Sequence, residues 1–280
     1  MAGDNTSEGG TSVQGGLVSV SRDANLGKAG IGISLNGGGL QFTGTAFGTL
    51  TRDVLLGENG GTIDIADADH TLTVSSSLTG TGALYKRGAG TLSLTGTNAY
   101  AGTIIEAGRV NGSRASLGGN VALRGADTVL NLTDSGNVTY ASVLSGTGQV
   151  MFEGDGTRLL TGNSAAFAGT ISVNGGTLLV GNATGGLLGG SINVGNGATL
   201  GGSGRIGWGV GSRVTIASGA VLAPGNSIGT LSIAGDLVFE NGARFEVEVD
   251  PLGVGADRVA VSGKAVLNGG TVAHIGATGN

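Results

Sequence analysis

The chain has 280 residues, of which 61 are Gly, 2 are Pro and none is Cys, and its net charge is −5 at pH 7. An acidic balance lacks the basic surplus that phosphate backbones require, which excludes a nucleic-acid partner. No basic stretch followed by an apolar one opens residues 1–10, and no run of about 18 apolar residues occurs, so neither a signal peptide nor a transmembrane helix is read in this sequence.

So much Gly in a polar chain would mean disorder, yet 39% of the residues are hydrophobic and mean hydropathy is +0.25. Such a chain can bury enough apolar surface to order itself, and Gly then acts as punctuation where positive φ recurs. Without Cys, stability must come from the core.

Helices are excluded by Gly frequency, since an interior Gly costs about 1 kcal/mol against Ala. Runs rich in Val, Ile, Leu and Thr predict strands at 17–20, 40–43, 62–65, 72–74, 91–94 and 103–105. More follow at 129–132, 170–173, 177–180, 192–194, 214–216, 231–233, 245–249, 259–261 and 265–267. Turn residues separate them at a spacing of about 8–12 residues.

Internal copies choose among the all-β architectures. LTGTGAL begins at Leu78, LSGTGQV at Leu144 and LGGSGRI at Leu200. After the first comes GAGTLSLTGTNAYAGTIIEAGRV (88–110), and after the second GDGTRLLTGNSAAFAGTISVNGGTLLV (154–180). Tyr100 aligns with Phe167, Thr103 with Thr170 and Ile104 with Ile171. The pattern predicts an all-β, right-handed parallel β-helix with about three short strands per turn and about 20–25 residues per turn. It divides into an N-terminal edge at 1–34, a repeat-built stalk at 35–218 and C-terminal turns at 219–280.

The first copy closely resembles the passenger-associated transport repeat of bacterial autotransporters, G-x-G-T-L-x-L-x-G-x-N-x-Y-x-G-T-x-x-x-x-G-x-L. Gly88, Gly90, Thr91, Leu92, Leu94, Gly96, Asn98, Tyr100, Gly102, Thr103 and Gly108 fit it, with Val110 in place of Leu. The second copy departs at Ser164-Ala165-Ala166. GAVLAPGNSIGTL at 219–231 resembles the A-P-G-N-S-x-G-T-L segment near the C-terminal end of such passengers. The resemblance implies a β-helix displayed at the bacterial cell surface or released outside it, with an outer-membrane translocator β-barrel as its own partner. Nothing after Gly263 has the ten-residue amphipathic strands of that barrel. It also implies an autochaperone-like role for 219–280.

Gly225-Asn-Ser227-Ile-Gly229 has the nucleophile-elbow pattern but precedes a predicted strand, not a helix, and reads as a turn fixed by Pro224. Gly202-Ser-Gly204-Arg-Ile-Gly207 has the dinucleotide pattern, which chance supplies at this Gly content, and again no helix follows. Asp64, Asp67 and Asp69 before His70 could gather on a cation but read as a solvated turn. Glu246, Glu248 and Asp250 alternate with Phe245, Val247 and Val249, giving the solvent side of an amphipathic strand. Trp208, flanked by Gly207 and Gly209, reads as a cap over a turn.

No catalytic, cofactor-binding or metal-ligating residue is nominated. The expected role is a non-enzymatic, surface-displayed adhesin or structural stalk whose C-terminal turns assist passenger folding and secretion. Expected partners are host cell-surface or extracellular-matrix molecules, or other copies of the passenger. The alternatives are a stalk carrying an upstream protease or esterase, and a β-helical carbohydrate-active enzyme using Glu246 and Glu248.

Overall fold

The structure, a computed structural model, describes residues 3–182, 185–207, 211–250, 253 and 255–276. The strands among them are short, and one 3-10 turn, Asp23–Leu26, is the helical element among the described residues. The chain divides into two compact units, Met1–Leu132 and Thr133–Asn280.

In the first unit three parallel sheets share the turns. One stacks Thr11–Val13, Ile33–Leu35, Val54–Leu56 and Leu78–Gly80. The second runs from Leu17–Val20 through Gly39–Phe42, Gly61–Ile65, Leu84–Arg87 and Gly102–Ile105 to Asn120–Leu123. The third stacks Thr49–Leu50, Thr71–Val74, Thr91–Leu94, Arg109–Gly112 and Val129–Leu132.

The second unit repeats the plan. One sheet stacks Gln149–Phe152, Thr170–Val173, Ser191–Val194, Arg213–Ile216, Asp236–Phe239 and Ala265–Leu267. Another runs from Val138–Tyr140 through Thr157–Leu160, Thr177–Val180, Thr199–Gly202, Val221–Pro224 and Arg244–Val249 to Thr271–Gly276. The third holds Asn163–Ser164, Leu187–Leu188, Arg205–Ile206, Thr230–Ile233 and Arg258–Val261. The predicted β-solenoid with three strands per turn is therefore the observed architecture.

Alternation decides which way each side chain points. In Thr91–Leu94 the two leucines are buried while Thr91 and Ser93 face outward. Stacking turns each inward position into an apolar ladder. Leu72, Leu92, Val110 and Leu130 form one in the first unit, and Val150, Ile171, Ile192, Val214 and Leu237 form one in the second. Each such side chain contributes about 1.5–3 kcal/mol on burial. The corners need Gly for two reasons, as Gly88 shows. Its φ is +71°, and a Cβ there would overlap the Ile65 carbonyl of the preceding turn.

Candidate functional site

The repeat motif assembles the stack. Asn98 joins three turns: its Oδ1 accepts from the Leu78 N–H at 2.8 Å and its Nδ2 donates to the Ser116 carbonyl at 2.7 Å. Tyr100 is buried, and its hydroxyl shares a 2.9 Å hydrogen bond with the buried Thr103 hydroxyl. Burial raises the Tyr100 pKa above its ordinary value. In the second copy, where Asn-x-Tyr is lost, Ser164 Oγ accepts from the Leu144 N–H at 2.9 Å and Phe167 fills the core. Leu144 stands in its copy where Leu78 stands in the first. One hydroxyl thus keeps half of what the Asn amide does.

Sequence reasoning missed three buried cations. Lys86 points into the core and donates to the carbonyls of Arg87 and Gly88, both at 2.7 Å, and of Ala107 at 3.1 Å. Burial pushes its pKa down to about 8, against the opposing pull of Asp64. Arg158, fully buried, donates to the carbonyls of Asp134, Glu153, Gly154, Gly156 and Gly175. Arg52 grips the Asp23 carboxylate at 2.7 and 2.8 Å and collects the carbonyls of Leu26, Gly27, Lys28 and Ile31. Corners that turn carbonyls inward need donors there, and these cations supply them. For Lys86 and Arg158 the signal available was a charged residue at an inward position of an alternating strand; Arg52 lies in the bend between Thr49–Leu50 and Val54–Leu56 and carried none.

Surfaces available to a partner are the outward rows. In the second unit Thr157, Thr177, Thr199 and Val221 stack in register, beside Leu159, Leu179 and Ala223 with the buried Gly201 between the last two, and neither row carries a charge. In the first unit Gln41, Asp64 and Arg87 stack in one sheet, and Glu106 and Arg124 continue the row directly after the strands Gly102–Ile105 and Asn120–Leu123. Gln41 Nε2 donates to Asp64 at 3.3 Å, Arg87 Nε to Glu106 at 2.6 Å and Arg124 to Glu106 at 3.3 Å. The row beside it is Gly39, Thr62, Tyr85, Ile104 and Ala122.

Ser227 is exposed in the turn between Val221–Pro224 and Thr230–Ile233, with φ of +152°. Among the described residues no histidine hydrogen-bonds to it. The nearby buried carboxylate, Asp257, instead accepts the N–H groups of Gly229 at 2.8 Å and Glu248 at 2.9 Å, and so latches the turn. Gly202 and Gly225 exchange backbone hydrogen bonds at 3.1 and 2.9 Å, so the Gly202–Gly207 pattern is a strand end against a neighbouring turn. Asp64 lies on Gly61–Ile65, while Asp67 Oδ1 accepts the Asp69 N–H at 3.1 Å. His70 is buried, with Nε2 2.9 Å from the Phe47 carbonyl. Among the described residues no group of His, Cys, Asp or Glu is placed to hold a metal ion.

Glu246 pairs with Arg244 at 3.1 Å along the strand Arg244–Val249. The partners of Glu246 and Glu248 on the next strand are Ala273 and Ile275. Phe245 lines the interior, but Val249, expected on the inner face, is 38% exposed. Among the described residues Thr271–Gly276, its neighbour, is the last strand of this sheet. A cavity of about 610 Å³ opens there, lined by Leu222, Leu237, Phe239, Phe245 and Val259 among others. Leu267 and Val272 beside it are 71% and 72% exposed. Trp208 lies outside the described residues.

No helix among the described residues is long and apolar enough to cross a membrane. The family described as passenger-associated-transport-repeat matches residues 1–20, 84–111 and 153–180. The chain is 35% identical over 181 residues to the adhesin BmaC autotransporter of Brucella suis biovar 1, a match covering 51% of this chain and 5% of that protein. It is 36% identical over 134 residues to an extracellular serine protease of Serratia marcescens, covering 48% of this chain and 12% of that protein. The matched part is thus a small fraction of either relative's length. Repeats of this kind belong to passengers secreted to the cell surface or the extracellular space.

Proposed function

We propose, from the premise that this chain carries the repeats of autotransporter passengers, that it is an adhesive stalk segment and not itself an enzyme. The observation that carries this reading is the likeness to an autotransporter adhesin over half the chain, joined to uncharged outward rows such as Thr157-Thr177-Thr199. Contacts spread along such rows suit a surface that grips by repetition. Its partners on this reading are host cell-surface or matrix molecules. Purified chain should bind matrix-coated wells and cultured cells saturably, and replacing Thr177 and Leu179 with Glu should weaken that binding. An intact chain that binds no cell and no matrix protein would sink the adhesive part.

The C-terminal turns, 219–280, carry the second half of the proposal: they assist folding of what precedes them. Support comes from the Asp257 latch and from core residues such as Leu231 and Ile233 in Thr230–Ile233. Asp257→Ala should slow refolding of the whole chain. A refolding rate equal to that of the unaltered chain would refute it.

A second reading is favoured by the likeness to an extracellular serine protease. There the segment is a stalk bearing an effector elsewhere in the protein. It predicts secretion of an attached effector without adhesion by the segment.

A further inference from the structure

Asp64 pairs with Arg87 in the sheet, and Glu106 and Arg124, each directly after its strand, continue the row through the Arg87–Glu106 and Arg124–Glu106 ion pairs, so the row alternates in sign from turn to turn. Reversed end to end, it presents the opposite sign at every place. We propose that this face of the Met1–Leu132 unit is a self-association surface whose occupant is the same face of a second copy, antiparallel about a two-fold axis. The inference rests on the reading of the chain as a surface-displayed passenger segment, and it adds the face, the residues and their arrangement.

Two sheets can meet face to face by a two-fold axis in only two simple ways. With the axis along the row, each charge meets its own copy, and like charges in contact are strongly unfavourable. With the axis across the row, between Arg87 and Glu106, Arg87 meets the second copy's Glu106 and Asp64 meets its Arg124. All four contacts are then attractive, so the charge order selects the antiparallel arrangement. The same operation places Tyr85 against Ile104 of the second copy, bringing the two less polar rows together.

The guanidinium groups can serve both sets of contacts. Arg87 uses Nε and Arg124 uses one terminal nitrogen toward Glu106 within the chain, and a guanidinium has five N–H donors. Their side chains are 48% and 57% exposed. A four-turn patch spans only about 15–20 Å, so a single pair is weak. Many copies on one surface make such contacts effective together.

The test uses three proteins: the unaltered chain, Arg87→Glu and Glu106→Arg, each checked by circular dichroism for an intact fold. Sedimentation equilibrium at low salt should show the unaltered chain self-associating, and salt should weaken it. Each single reversal should weaken self-association at least about tenfold. Mixing the two variants should restore it, because their rows, set antiparallel, are again opposite at all four places. Structural damage could not produce that rescue. A monomeric unaltered chain at high concentration, single variants that associate as before, or a mixture that fails to associate would each overturn the proposal. Binding to matrix proteins and cells, measured on the same variants, is expected to persist, which separates this inference from the adhesive reading.

Discussion

Lys86 and Arg158 satisfy the same carbonyls from opposite sides of equivalent corners. Thr91 stacks on Arg109 in one copy and Thr157 on Thr177 in the other. That register makes Arg87 equivalent to Glu153, Gly88 to Gly154 and Ala107 to Gly175. Lys86 reaches the first set from the strand before the Gly-x-Gly corner, and Arg158 reaches the second from the strand after it.

Removing either cation strands those carbonyls. Lys86→Met and Arg158→Met should each lower stability by roughly 2–4 kcal/mol, because buried acceptors lose their donors. Thr91→Ala, on the outward face of the same corner, should stay within about 0.5 kcal/mol. Urea unfolding of the three variants is the check, and equal midpoints would remove the role assigned to the cations.

Lys86 also fixes a pH dependence. Its ordinary pKa of 10.5 falls to about 8 in the folded chain because of burial. Between those values the unfolded chain holds a proton that the folded chain has released, so raising pH favours folding. The stability of the unaltered chain relative to Lys86→Met should rise across that window, by up to roughly 3 kcal/mol. It should be flat below pH 8. A relative stability that falls as pH rises would contradict the sign.

Asn98 and Ser164 differ in how much they hold. Asn98→Ala removes bonds to both neighbouring turns and should cost about 2 kcal/mol. Ser164→Ala removes its single bond to Leu144 and should cost about 1 kcal/mol. Thermal unfolding would rank them, and a reversed order would mean that the Asn amide is not the tie described.

Gly88 and Gly30 both have positive φ, +71° and +80°. Only at Gly88 would a Cβ meet backbone, since nothing lies within 4 Å of one at Gly30. Gly30→Ala should cost about 1–2 kcal/mol from conformation alone. Gly88→Ala should exceed about 3 kcal/mol because the neighbouring turn must also move.

Much of the stack was legible because alternation and Gly punctuation are local. The runs at 91–94, 129–132, 170–173, 177–180 and 265–267 are strands with those bounds. Others start one residue earlier, as Gly102–Ile105 does. Leu84–Arg87 and Thr157–Leu160 escaped notice because Lys86 and Arg158 stand at inward positions where a strand ordinarily carries an apolar residue. Their purpose shows only when the corner carbonyls are in place. The Asp257 latch was hidden for the same reason: its partners, Gly229 and Glu248, are brought together by stacking. The alternating row at Asp64, Arg87, Glu106 and Arg124 also depends on register, since turns of unequal length blur it in sequence.

Stacked partners are never far apart along the chain: Gly102 pairs with Asn120, 18 residues on, and Leu237 with Ala265, 28 residues on. Each turn therefore needs only one adjoining turn as a template, and loop closure stays inexpensive at every step. A polypeptide emerging through a narrow passage could lock one coil at a time, each engaged coil barring the thread from slipping back. Such a chain carries its own pawl and wheel, and the work of ordering each coil can be turned into directed movement.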